Sequence, residues 1–80
     1  MQLDGKIALI TGGSSGIGRE TAVLFAQHGA QLAIADLNPD GGQETVEMVT
    51  GAGGQAFFVQ ADVSQAAQVE NMVNRVVAEY

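Results

Sequence analysis

The sequence predicts a three-layer α/β fold, in which helices cover both faces of a parallel sheet and the elements follow the order βαβαβα. Short apolar runs recur at residues 7–10, 32–35 and 56–59, and segments with helical periodicity separate them. Each run is continuous rather than alternating, which is typical of a strand buried on both faces. A strand and its crossover helix fit the spacing of roughly 25 residues per unit. Right-handed crossovers then predict the spatial order 3-2-1, with the first two helices on one face and the third on the other.

The first predicted helix follows the first strand and ends before Gly29. Its inner face is expected to follow the helical period, with spacing i, i+4, i+7, i+8 and i+11. The members of this face are Ile17, Thr21, Leu24, Phe25 and His28.

The second predicted helix begins with Asn38 as N-cap and Pro39 in its first position. Val46 and Val49 give it an inner edge, and Gly51 or Gly53 ends it. It is the weakest of the three predicted helices, because glycines 41 and 42 lie in its first turn.

The third predicted helix has the clearest apolar stripe, with Ser64 as its expected N-cap. The stripe consists of Val69, Met72, Val73, Val76, Val77 and Tyr80. We interpret these side chains as core or interface residues.

Composition narrows the classes of function. The 80 residues carry a formal net charge of -6 with three basic side chains, so binding to nucleic acid or to an anionic membrane surface is not expected. There is no cysteine, and hence no disulfide. The start of the chain lacks the basic and apolar regions of a signal peptide, and no apolar run approaches the length of a membrane span. We therefore expect a cytoplasmic location.

A glycine-rich turn between the first strand and the first helix carries the main functional signal. Gly12 permits a tight turn, Gly16 permits close approach of a ligand to the backbone, and Gly18 permits close packing of the helix on the sheet. The N–H groups and positive dipole end of the helix would face an anion, most naturally a pyrophosphate. The alternative is a turn that binds nothing. A Walker phosphate loop is excluded, because no Gly-Lys-Ser/Thr follows.

The spacing of this turn is Thr-Gly-x-x-x-Gly-x-Gly, carried by Thr11, Gly12, Gly16 and Gly18. Together with Gly5-Lys6 and the segment 61–63, it resembles the N-terminal part of the short-chain dehydrogenase/reductase family. The resemblance implies a Rossmann-type fold and an NAD(P)-dependent oxidoreductase. It also implies that residues 1–80 are the N-terminal dinucleotide-binding part of such a domain, from which the fourth strand and everything after it are absent.

Asp36 ends the second strand, where an acidic residue can accept hydrogen bonds from the adenosine ribose. The carboxylate would repel a 2′-phosphate, so NAD is favoured over NADP as the cofactor. No basic residue accompanies it, since Leu37 follows and position 15 is serine. Asp36 has an alternative role, which is to cap the turn that it begins.

The family resemblance implies further cofactor contacts. Asp62, with the backbone of Val63, would bind adenine, and Leu37 joins the ribose end of the site. Ser14, Ser15 and Ile17 match positions that line the phosphates and the nicotinamide side. Alternatively, Asp62 is a helix cap and the serine hydroxyls satisfy turn backbone groups. We interpret Arg19 as an exposed helix residue.

The resemblance also implies a catalytic serine and a Tyr-x-x-x-Lys pair, and these 80 residues contain neither. The single tyrosine is Tyr80, the single lysine is Lys6, and the single histidine, His28, lies at a helix end. We therefore expect no catalytic residue, no metal site and no activity from this chain alone. The alternatives are the N-terminal part of a complete dehydrogenase or a scaffold that binds no ligand. A flavin or S-adenosylmethionine site is disfavoured by the glycine spacing.

The edge of the first strand, residues 7–10, has no charge or proline to block pairing with another chain. A small domain without disulfide or metal tolerates such exposure poorly. The sequence therefore predicts a homodimer through this edge, or a strand-swapped equivalent.

Overall fold

The computed structural model of the protein describes residues 2–80 as a three-stranded parallel sheet with helices on both faces. Met1, the first residue of the segment considered for a signal peptide, lies outside the described residues. No helix within residues 2–80 combines the length and the hydropathy that crossing a membrane requires. The elements follow the predicted order: β1 (Ile7–Thr11), α1 (Gly16–Gln27), β2 (Gln31–Asp36), α2 (Pro39–Gly51), β3 (Gln55–Gln60) and α3 (Ala66–Glu79).

The sheet has the order β1-β2-β3, and both strand pairs are parallel, which confirms the predicted 3-2-1 arrangement. Ile7 lies opposite Gln31, which lies opposite Gln55, and the same register continues along the strands. Each strand pair thus joins residues 24 positions apart in the chain. β2 is the central strand, and its four residues from Leu32 to Ala35 are fully buried.

Two apolar clusters lie on opposite faces of the sheet. The larger joins Leu32 and Ile34 of β2 to Ala22 of α1 and to Val46 and Val49 of α2. The smaller contains Ala35, Val59 and Met72, with Val69 of α3 packed against it. The first two helices therefore share one face and α3 covers the other, as predicted.

The predicted inner face of α1 is wrong by one residue. Ile17 is 82% exposed and Leu24 50% exposed, whereas Ala22 is fully buried. Most members of the true inner face are small and follow a predicted residue by one position, namely Gly18, Ala22 and Ala26, while Phe25 packs against the core as predicted. Small side chains let the helix approach the sheet closely. The large apolar residues Ile17 and Leu24 therefore lie on the exposed side of the helix and do not indicate its inner face.

The predicted start of α2 is confirmed. The Asn38 side chain accepts a hydrogen bond from the backbone N–H of Gly41 at 3.1 Å, Pro39 begins the helix, and Gly51 ends it. The expectation that Gly42 only weakens the helix misses its packing role. A Cβ atom there would lie 2.1 Å from the ring of Phe58, so α2 lies too close to β3 for any side chain.

The predicted cap of α3 is wrong. Its N-cap residue is Gln65, because the Asp62 carboxylate binds both the N–H and the hydroxyl of Ser64 and forms a separate turn before the helix. The predicted stripe is only partly buried: Met72 is in the core, while Val73 and Val77 are exposed. At the end of the chain the Tyr80 hydroxyl donates to the Leu32 carbonyl oxygen at 2.7 Å.

Candidate functional site

The carboxyl ends of the three strands form one continuous row at the same edge of the sheet. The backbone N–H of Gly12 donates to the Ala35 carbonyl at 2.9 Å, and the N–H of Ala61 donates to the Asp36 carbonyl at 3.1 Å. The glycine turn after β1, the acidic end of β2 and the segment after β3 are therefore neighbours. The residues predicted to form a cofactor site meet along this row.

Open space lies above the glycine turn. Gly12 has φ +69° and Gly16 has φ +58°, conformations that side chains rarely adopt. A Cβ atom built at either position would meet no atom within 4 Å. The backbone is thus shaped by glycine and accessible from outside, as close approach of a ligand requires.

The start of α1 is suited to an anion. Its N-cap residue, Ser15, makes no side-chain capping bond, and the first turn contains no acidic residue. The first N–H groups of a helix have no partner within it, and the helix dipole places positive charge there. Ile17 is exposed beside these groups. A pyrophosphate fits this combination of open space, unpaired donors and positive charge.

Two further glycines lie where close packing around the turn leaves no room for a side chain. A Cβ atom on Gly18 would lie 2.1 Å from the Gly12 carbonyl oxygen, so α1 packs on the turn itself rather than directly on the sheet. A Cβ atom on Gly13 would lie 2.7 Å from Cγ2 of Ile34. Sequence reasoning gave Gly13 no role; its position directly after Gly12, at the end of the first strand, was the available signal.

The Asp36 carboxylate bridges the glycine turn and the start of α2. Its Oδ2 accepts from the Ser14 N–H at 3.2 Å, and its Oδ1 accepts from the Asn38 N–H at 3.0 Å. Partial burial raises the pKa of Asp36, but hydrogen bonds from Asn38 and Ser14 outweigh burial and hold the pKa below its usual 3.8. Asp36 therefore fills the capping role weighed as the alternative, and its ionised carboxylate lies beside the glycine turn.

The two serines of the turn differ in exposure. Ser14 is buried, and the contacts described for it lie within the protein, to Asp36 and Arg19. Ser15 is exposed at the helix start. Leu37 and Val63 are exposed at the ends of β2 and β3. The structure thus leaves Ser15, Leu37 and Val63 accessible along the row.

Asp62 has a defined local role. Its Oδ1 accepts from the Ser64 N–H at 2.9 Å and from the Ser64 hydroxyl at 2.6 Å. These two bonds lower the pKa of Asp62 below 3.8. The carboxylate therefore stays ionised and organises the turn that precedes α3.

Arg19 is not the exposed helix residue that the sequence suggested, because its side chain is 22% exposed and fully engaged. Nη2 donates to the carbonyl oxygens of Ser14 at 2.6 Å and Gly41 at 3.1 Å. Nε donates to Oγ1 of Thr45 at 2.9 Å, and Nη1 contacts Glu44 at 3.0 Å. Arg19 thus ties the glycine turn to α2, and Thr45, which is fully buried, joins the same network.

These features define a Rossmann-type α/β domain with a glycine-rich turn at its first helix. Residues 6–80 match the sequence pattern of the family described as short chain dehydrogenase. The chain belongs to the short-chain dehydrogenase family.

Two relatives illustrate the similarity. Tropinone reductase-like 2 of Erythroxylum coca is 47% identical over 79 residues, which are 99% of this chain and 28% of that protein. The short-chain dehydrogenase/reductase homolog YusS of Bacillus subtilis is 44% identical over 78 residues, or 96% of this chain and 72% of that protein. The chain thus spans less than a third of the first of these relatives.

Solved structures agree with the fold. A hydroxysteroid dehydrogenase from Escherichia coli superposes with TM-score 0.95 at 35% identity, covering 98% of this chain and 33% of that one. A short chain dehydrogenase/reductase from Burkholderia phymatum, solved in complex with NAD, superposes with TM-score 0.92 at 36% identity. That superposition covers 98% of this chain and 28% of the other.

Proposed function

We propose that residues 1–80 are the N-terminal dinucleotide-binding part of an NAD-dependent oxidoreductase. The observation that carries this proposal is the open glycine turn at the start of α1, with the Asp36 carboxylate beside it. The NAD complex of the Burkholderia phymatum relative supports it. The proposed location is the cytoplasm, where nicotinamide dinucleotides are abundant, and cell fractionation tests it.

The row of strand ends suggests which residues hold which part of the ligand. In the proposal, the pyrophosphate lies over Gly12, Gly16 and the first N–H groups of α1, supported by Gly18 below. Ser14 and Ser15 border the phosphates, and Ile17 faces the nicotinamide side. Asp36 and Leu37 hold the adenosine ribose, and Asp62 and the backbone of Val63 hold adenine. The nicotinamide dinucleotide supplies hydride chemistry when bound, and these residues bind and orient it.

The proposal favours NAD over NADP because of charge. Hydrogen bonds keep Asp36 ionised, and a 2′-phosphate at the same place would bring two negative charges together. At ~4 Å and an effective dielectric of about 20, such a pair repels by roughly 4 kcal/mol before screening. The basic side chain nearest in sequence, Arg19, already binds four acceptors.

Calorimetric titration with NAD, ADP-ribose and NADP tests the proposal. We expect weak binding of NAD and ADP-ribose and weaker binding of NADP. Asp36→Asn removes the charge and should narrow the difference in affinity between NAD and NADP. Asp40→Asn, the same change at an exposed position in α2, should leave that difference unchanged. Absence of binding by all three ligands contradicts the proposed function, and an unchanged gap in Asp36→Asn removes Asp36 from the selective role.

We also propose that two copies of this chain associate through β1. Within residues 2–80, β1 pairs with β2 on one side alone, and Ile7 is 48% exposed. On the face of the sheet that α3 covers, Val73 and Val77 of that helix are exposed. Pairing of two β1 strands across a two-fold axis would extend the sheet to six strands and bring the two α3 helices together.

A further inference from the structure

Arg19 makes its hydrogen bonds to two separate segments of the chain, the glycine turn and α2. Its guanidinium contacts the carbonyl oxygens of Ser14, in the glycine turn, and Gly41, in α2. It also contacts the hydroxyl of Thr45 and the exposed carboxylate of Glu44. A planar guanidinium with fixed donor directions fixes the relative positions of the groups that it binds. The turn and α2 are thus held at a set distance.

Thr45 supplies a second connection to the same turn. Its side chain is fully buried, and its hydroxyl donates to the Gly13 carbonyl oxygen at 2.6 Å while accepting from Nε of Arg19 at 2.9 Å. Two successive carbonyl groups of the glycine turn, those of Gly13 and Ser14, are therefore held by Thr45 and Arg19. A buried polar group of this kind is costly to leave unpaired, so the arrangement resists displacement.

Ser14 transmits this restraint to Asp36. The carbonyl group of Ser14 accepts from Arg19 at 2.6 Å, and its own N–H donates to Oδ2 of Asp36 at 3.2 Å. The Ser14 N–H and the Gly13 carbonyl belong to one planar peptide group, so the bond from the Thr45 hydroxyl to that carbonyl constrains the direction of the N–H. The guanidinium of Arg19 thereby acts on the Asp36 carboxylate through Thr45 and the Gly13–Ser14 peptide group, and it also holds the carbonyl on the other side of Ser14.

We propose that Arg19 is a positioning residue that, together with Thr45, sets the orientation of Asp36 and so the preference for NAD over NADP. The inference rests on the proposed function of this site. All three nitrogens of the guanidinium are occupied by protein acceptors, so Arg19 acts through Ser14 rather than on the ligand.

The direction of the effect separates this role from direct phosphate binding. If the Arg19 guanidinium bound a 2′-phosphate, its removal would weaken NADP binding and raise the preference for NAD. If Arg19 positions Asp36, its removal lowers the preference for NAD, because the carboxylate no longer holds its place. A purely structural role would lower stability and leave the preference unchanged.

The binding experiment uses Arg19→Met and Arg19→Lys, with Arg75→Met as the matched control on α3, where Arg75 lies over the Phe57 ring. Dissociation constants for NAD and NADP are measured on variants that circular dichroism shows to be folded. We expect the NAD preference to fall about fivefold in both Arg19 variants, the equivalent of one hydrogen bond, and to hold in Arg75→Met. Thr45→Val should lower the preference for NAD over NADP. Thr45→Ser, which keeps the hydroxyl, should retain the wild-type preference. A preference that stays constant or rises in the Arg19 variants overturns the proposal.

A second readout needs no ligand. The carboxyl carbon of Asp36 is titrated by nuclear magnetic resonance in the wild type and in Arg19→Lys, which keeps the charge and loses the fixed fork of donors. We expect the pKa of Asp36 to rise in Arg19→Lys and to stay in Arg75→Met. An unchanged pKa in Arg19→Lys overturns the proposal even if the wild type binds neither dinucleotide, in which case the proposed function fails separately. If Arg19→Met does not fold, Arg19→Lys and the Thr45 pair decide both readouts.

Discussion

Asp36 combines a structural and a proposed binding role in one carboxylate. The hydrogen bonds from the backbone N–H groups of Ser14 and Asn38 close the turn at the end of β2 and hold the glycine turn beside it. The same bonds stabilise the charged form, because both are donated by N–H groups to carboxylate oxygens. The charge that would select NAD thus also contributes to the stability of the fold.

Stability should consequently depend on the ionisation of Asp36. The pKa of Asp36 in the folded chain lies below 3.8, so the unfolded chain takes up the proton first as pH falls. The contribution of ionised Asp36 to the free energy of unfolding is complete well above pH 3.8. It is lost as pH falls below that value through the pKa of Asp36 in the folded chain. Urea denaturation at neutral pH should show wild type more stable than Asp36→Asn, with the gap closing towards pH 3. Glu47→Gln, on an exposed position of α2, controls for net charge; a gap that stays constant with pH would contradict the assignment.

Individual site residues differ in how far the sequence could predict them. Asp36 ends a buried strand, and Gly12 and Gly16 lie in a turn of recognisable spacing, so local pattern suffices. Arg19 depends on Thr45, which is 26 residues away, and local pattern shows only a basic residue in a helix. The predicted exposure of Arg19 was therefore wrong for a physical reason: three of the four groups that it binds belong to α2.

The helices show the same distinction between periodicity and packing. Periodicity located α1, α2 and α3, since an apolar stripe is a property of each segment alone. It misplaced the inner face of α1 by one residue, because close approach to the sheet selects Ala22 over Leu24 and close approach to the glycine turn selects Gly18 over Ile17. It also missed the turn between Asp62 and Ser64, which delays α3 to Ala66.

Gly42 provides a test of this close approach. A Cβ atom in Gly42→Ala would lie 2.1 Å from the Phe58 ring, so the variant should lose about 1–3 kcal/mol of unfolding free energy through overpacking. Gly51→Ala is the matched control, since a Cβ atom at that end of α2 meets nothing within 4 Å. Its higher helix propensity should leave stability unchanged or raise it by up to about 1 kcal/mol. Urea denaturation measures both, and equal stability of the two variants would show that α2 can move away from β3.

The whole molecule leaves β1 at an edge of the sheet, and the proposed dimer follows from that exposure. Ile7→Lys should weaken association, because a charge would enter the shared edge. Leu24→Lys is the control, since Leu24 is about equally exposed but lies on α1. Sedimentation velocity at micromolar concentration distinguishes monomer from dimer. A wild-type monomer, or equal weakening by both substitutions, would contradict assembly through β1.

These 80 residues are expected to show no hydride transfer by themselves. The Tyr80 hydroxyl is bonded to the Leu32 carbonyl, and burial together with the Glu79 charge raises the pKa of Tyr80 above 10.0, the opposite of what an acid/base tyrosine needs. Lys6 precedes β1, at the other end of the strand from the glycine turn. Without a positioned acid/base, a reaction loses roughly 10²–10⁴-fold. NADH absorbance with alcohol and carbonyl substrates measures this, with an added active dehydrogenase as positive control; turnover by the pure chain would contradict the expectation.

The constant offset of 24 residues between paired strands has a consequence for how the chain folds during synthesis. Each strand finds its partner one unit back, so β2 can pair with β1 before α2 has been made, and β3 then adds to β2. The loop-closure entropy is about the same at each step and never that of the full chain length. The ribosome adds roughly 5–20 residues per second, far slower than such loops close, so the sheet can grow at the pace of translation in the order in which its strands are made.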